Sequence, residues 1–101
     1  MVTDDQTLAR YRFTSEVDLP ETFTALDIEY LDVSATRVIV IYTRAVLNIE
    51  IADGQLNNAR TLEIEVLDYP PKAGGDNPTN LITRIIKRIS DITESDYQQL
   101  L

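Results

Sequence analysis

Residues 36–54, "TRVIVIYTRAVLNIEIADG", form the apolar centre of the chain, and the length of this run limits the possible folds more than any other feature. Val38, Ile39, Val40, Ile41 and Tyr42 are nearly all β-branched, which disfavours helix and suits a strand buried on both faces. After a break, Leu47 to Ile51 alternate with Asn48 and Glu50 until Asp53-Gly54, a turn dipeptide. One straight strand over 36–52 would run about 56 Å at roughly 3.3 Å per residue. A domain built from 101 residues is only about 33 Å across, from a radius of gyration of roughly 13 Å. The segment must therefore turn, bend or bulge near Thr43 to Ala45, or project from the body as an arm. No Gly or Pro marks the place, and an arm would imply an oligomer.

The flanking segments supply further strands. In "LARYRFT", Ala9, Tyr11 and Phe13 alternate with Arg10, Arg12 and Thr14, the period of a half-buried strand. In "ARTLEIEVLDY", Leu62, Ile64 and Val66 alternate with Glu63 and Glu65, and Pro70-Pro71 stops the run. Together with 47–51 it makes a hairpin through "DGQLNN". The stretch 20–32 fits two templates. Phe23, Leu26, Tyr30 and Leu31 match a helical stripe starting near Pro20, whereas Leu26, Ile28 and Tyr30 alternate with Asp27 and Glu29. Its β-branched and aromatic content favours a strand over about 25–32.

The C-terminal third reads as a helix over 78–92. Asp76 or Asn77 can cap it, Pro78 suits its first turn, and Leu81, Ile82, Ile85, Ile86, Ile89 and Ile92 share one face. A last turn, "TESDYQQLL", carries Ser95 three residues before Gln98, a capping-box spacing. These elements define an α+β fold: an antiparallel sheet of four to five strands with one C-terminal amphipathic helix packed on a face. The expected core is Tyr11, Phe13, Val38, Val40, Tyr42, Ile49, Ile51, Leu62, Ile64 and Val66 against the isoleucine stripe. Residues 1–101 make one small globular domain, with 1–7 loose and 68–77 a flexible connection.

Composition narrows function by exclusion. With 44% hydrophobic and 26% charged residues the chain is an ordinary globular one, able to fold without staples. It has no cysteine and no histidine, so the commonest general base, the commonest metal ligand and the thiolate nucleophile are all missing. The start "MVTDDQTLARYRF" is acidic where a signal peptide needs positive charge, and no apolar run nears 18 residues; a cytoplasmic protein with no membrane association is the expectation. A formal charge of −8 and a pI near 4.3 oppose direct nucleic-acid binding and point to a neutral or basic partner.

Four constellations remain. In "PPKAGGDNPTN" Lys72 precedes Gly74-Gly75, the reverse of a phosphate-binding loop, and Asp76 puts negative charge where the helix dipole would attract an anion. A flexible connection is the better reading. Calcium-loop spacing is absent from Asp53 onward: Asn58 stands where glycine is needed and Ile64 where glutamate is. No metal or cofactor is expected. Between Glu16 and Asp32 lie six carboxylates and no basic residue, and Glu63 and Glu65 fall on the solvent side of the hairpin. Asp27, Glu29, Glu63 and Glu65 could thus steer a basic partner or imitate a phosphate backbone, although solvated strand faces carry such charges too. Arg84, Lys87 and Arg88 share the helix face opposite the isoleucines, either as a solvated face or as a docking patch for an acidic partner or a second copy. The reading is a small non-enzymatic interaction protein, such as an adaptor, assembly factor or inhibitor, that self-associates. The alternatives are an acidic mimic blocking a nucleic-acid-binding protein and, more weakly, a carboxylate-dependent enzyme.

Overall fold

The computed structural model describes residues 8–69 and 78–100. In chain order they form β1 (Leu8–Val17), α1 (Leu19–Ala25), β2 (Glu29–Ser34), β3 (Arg37–Tyr42), β4 (Ala45–Asp53), a 3-10 turn at Leu56–Asn58, β5 (Ala59–Asp68), α2 (Pro78–Thr93) and β6 (Tyr97–Gln99). The sheet has six strands in the order β2-β3-β4-β5-β1-β6, every neighbouring pair antiparallel. An α+β fold with a C-terminal helix was expected; the sixth strand and the second helix were not. Lys72, Gly74, Gly75 and the candidate caps Asp76 and Asn77 lie outside the described residues.

The 36–54 run resolves into two strands rather than an arm. Tyr42 stands opposite Ala45, so Thr43 and Arg44 alone make the turn, at φ 48° and 73°. Two successive left-handed residues are the geometry of a type I′ hairpin, normally given to Asn-Gly. Neither residue advertises that turn. At the other end of β4, Gly54 has φ 97° and a Cβ there would collide with the carbonyl oxygen of Asn58, so this turn does need its glycine.

Residues 20–32 contain both of the alternatives read from sequence, in succession. Asp18 caps α1 by accepting from the Glu21 N–H at 3.0 Å, and Pro20 sits in the first turn. The helix ends in a Schellman arrangement: Asp27 is left-handed at φ 60°, Ile28 N–H donates to the Phe23 carbonyl at 2.8 Å and Asp27 N–H to Thr24 at 3.1 Å. The chain then enters β2 at Glu29, so the expected strand over 25–32 starts four residues late. Aspartate in place of the usual glycine hid the break.

The closed face of the sheet carries the core. Val38 faces Ile49, which faces Ile64, which faces Ala9; Val40 faces Leu47; and Ile51 faces Leu62, which faces Tyr11. All of these are buried, and Val66, next to Leu47, is partly buried. Leu81, Ile82, Ile85, Ile86 and Ile89 of α2 complete the cluster. Fully burying these five side chains contributes roughly 7–15 kcal/mol gross at about 1.5–3 kcal/mol each. Ile92, the sixth member of the stripe, is instead 43% exposed at the helix end.

The segment after α2 is a strand, not a capped turn. Glu94 turns left-handed at φ 56° and Ser95 N–H returns to the Ser90 carbonyl at 3.2 Å, ending the helix as Asp27 ends the first. Ser95, 2% exposed, then accepts from Ser15 N–H at 3.2 Å and bonds the Ser15 hydroxyl at 2.9 Å. That clasp sets Tyr97 opposite Phe13, its ring 5.7 Å from that of Tyr11.

Candidate functional site

Residues directly opposite in an antiparallel pair point to the same side of a sheet, so the register assigns the open face without ambiguity. Leu31 faces Ile39, which faces Asn48, which faces Glu65, which faces Leu8; Glu29 faces Ile41, which faces Val46. Leu31, Ile39, Ile41 and Val46 therefore form one apolar cluster across β2, β3 and β4. Leu31 is 65% exposed and Ile41 44%, and Val33 on the same strand as Leu31 is 52% exposed. The 38–42 run was expected to be buried on both faces. It is buried on one, and the other opens to solvent.

The candidate charges fall on opposite sides of the molecule. Glu29, Glu63 and Glu65 lie on the open face, and Asp27 stands in the turn entering β2. On the same face Glu63 is held by the Arg10 guanidinium, whose Nε donates at 2.9 Å, and Arg37 donates to the Asn48 side chain at 2.7 Å. Arg84, Lys87 and Arg88 are exposed on α2, whose other side is packed on the closed face. The acidic and basic groups that sequence reasoning nominated are thus back to back, with both layers of the domain between them.

Sequence reasoning missed the groove along β2. Asp18, Pro20, Glu21, Thr24, Ala25 and Tyr30 line a shallow hollow, wide open to solvent, between α1 and β2. From Pro20 onward a second one, of about 270 Å³, passes Asp32, Ser34 and Leu56. Together they follow the side of β2 that bears Tyr30 and Asp32, which face Val40 and Val38. The opposite side of the same strand bears Leu31 and Val33. β2 is also the terminal strand of the sheet, so its outward backbone groups have no sheet partner among the described residues. Only the acidity of 16–32 hinted at this place; finding the groove required knowing that α1 exists.

One polar feature lies elsewhere. Burial raises the pKa of the Tyr11 phenol above its ordinary 10.0, with a hydrogen bond to the Thr83 side chain opposing that shift and neighbouring Tyr97 adding to it. No group of three or more metal-ligating side chains occurs among the described residues, and no helix among them is long and apolar enough to cross a membrane. No protein-family model, curated protein or solved structure gives a significant match to the chain.

Proposed function

We propose that this chain is a small non-enzymatic protein-interaction module, of the adaptor, assembly-factor or inhibitor kind, that self-associates through the open face of its sheet. The observation that carries the reading is the uncovered cluster of Leu31, Ile39, Ile41 and Val46. Large exposed apolar side chains scattered singly are ordinary, but a contiguous cluster marks a surface that another molecule covers. Two open faces meeting across a two-fold axis would stack as sheets about 10 Å apart. That arrangement closes on itself. Docking the basic face of α2 in one copy on the acidic open face of another would be head-to-tail, and such contacts extend into rings or filaments.

Imitation of a nucleic-acid backbone is less well supported, because Arg10 and Arg37 interrupt the glutamates of the open face. Sedimentation at micromolar concentration tests the proposal. The expected mass is at least two chains for the native protein and one chain for Ile41→Lys combined with Val46→Lys. A native protein that stays monomeric under those conditions would sink self-association.

A further inference from the structure

We infer that β2 is a docking edge for an extended segment of a partner protein in which apolar residues alternate with Lys or Arg, added to the sheet as a seventh strand. The inference rests on the interaction-module reading and names the partner's chemistry. Strand addition obtains affinity from main-chain hydrogen bonds and specificity from what the alternating side chains meet. At β2 the two sides differ in chemistry. A side chain on the open-face side meets Leu31 and Val33, 65% and 52% exposed, and should be apolar. A side chain on the other side enters the groove of Asp18, Glu21 and Tyr30, continued by Asp32, where a long aliphatic stem can lie on Pro20 and Tyr30 while its cation reaches the carboxylates.

Charge decides between a foreign segment and a second copy. From Glu16 to Thr36 the chain has six carboxylates and no basic residue. Pairing β2 with itself would bring Asp27, Glu29 and Asp32 of both copies to one seam, and like charges opposed across strands are destabilising. A segment with its basic residues on the groove side replaces that repulsion by attraction at Asp32 and adds Asp18 and Glu21 to it. Natural edge strands are commonly blunted by lysine, proline or extreme shortness. β6, at the far edge, has three residues, whereas β2 has six with neither lysine nor proline. A register irregularity follows Asp32, so regular pairing is expected over Glu29–Asp32.

The test is a titration of the full chain, labelled for amide NMR, with a short blocked peptide in which Val and Lys alternate. Expected are shifts confined to β2, α1 and the groove between them, binding that weakens with salt, and loss of binding when the central residue of the peptide is Pro. Glu21→Gln with Asp32→Asn, both at exposed positions, should weaken binding roughly three- to tenfold, the effect of two exposed ion pairs. Absence of any β2 shift, equal binding of a Val-Glu peptide, or indifference to the Pro substitution would overturn the inference. If instead the dimer persists in Ile41→Lys combined with Val46→Lys and the peptide dissociates it, a second copy holds the edge. That result would overturn the inference while leaving the interaction-module reading intact.

Discussion

Val40 and Ile41 are neighbours in β3 and chemically alike, yet Val40 is 0% exposed and Ile41 44%. The same contrast repeats across the sheet: Ile49 and Ile64 on the closed face are fully buried, while Leu31 and Leu67 stand 65% and 50% exposed. Alternation along each strand decides the side, and the available helix decides the outcome. Six strands at about 4.8 Å spacing make a sheet roughly 24–29 Å wide, against a helix diameter of about 10–12 Å. The 16-residue α2 packs on the closed face, and the seven-residue α1 beside β2 adds Leu19 and Phe23 to the same core. No described element remains to form a third layer on the open face, although β3 carries apolar residues for it.

The difference between the faces is open to direct measurement. Ile85, fully buried on the inner side of α2, should cost about 2–5 kcal/mol when replaced by Ala, the range for emptying a core site. For a domain of this size that is a fall in Tm of roughly 4–8 °C per kcal/mol. A loss below 1 kcal/mol in chemical denaturation would mean that α2 does not close this face as described. The exchange Val40→Thr keeps the side-chain shape and buries an unpaired hydroxyl, for an expected loss of about 1–3 kcal/mol. Denaturant midpoints with unchanged m-values would verify that folding stability, and not compactness, has changed.

A subtler probe of the closed face is its alkaline behaviour. Burial raises the Tyr11 pKa above 10.0, so between that value and the folded pKa the unfolded chain has released its proton and the native chain has not. Fewer protons on the unfolded state means that stability falls as pH rises. The contribution is fully present below pH 10.0 and is lost as pH climbs through the folded pKa. Tyr11→Phe should therefore flatten the alkaline decline in urea midpoint relative to the native protein. Parallel declines in the two proteins would show that the phenol is not held on the closed face.

Much of this fold was legible in the chain, and the failures have local causes. Period-two alternation placed β1, β5 and the hairpin strands, and nine of the ten expected core residues, all but the half-buried Val66, are buried. Three boundaries turn on left-handed residues other than glycine: Asp27 ending α1, which was missed, and Thr43-Arg44 and Glu94, whose places followed from strand length and helical periodicity although no residue type marks them. Sequence reading relies on glycine to mark such positions, because most side chains resist that conformation. Packing elsewhere compensates for the strain here, and packing is not visible residue by residue. β6 escaped because three residues are too few to show a period, and its placement depends on the Ser95–Ser15 clasp between segments eighty residues apart. The open apolar face was hidden for another reason. Glu63 and Glu65, read on the solvent side of the hairpin, lie on the open face, but the apolar cluster beside them looked like core because periodicity gives a side without saying whether anything covers it.

Ile41→Thr closes the comparison with the smallest expected change. Threonine retains β-branching and strand propensity, and the lost methylene-scale burial is small at a site already 44% exposed. In dilute protein, stability should move by no more than about 0.5 kcal/mol, as for surface substitutions generally. The contrast with Val40→Thr, one residue earlier, then measures the cost of the same hydroxyl on the two faces. Concentration supplies the decisive axis. If copies cover the open face, the native protein gains stability with concentration by mass action, and Ile41→Thr should reduce that gain while Val40→Thr lowers stability at every concentration. Midpoints independent of concentration in all three proteins would leave the open face to a different partner, and the self-association half of the proposal would fall.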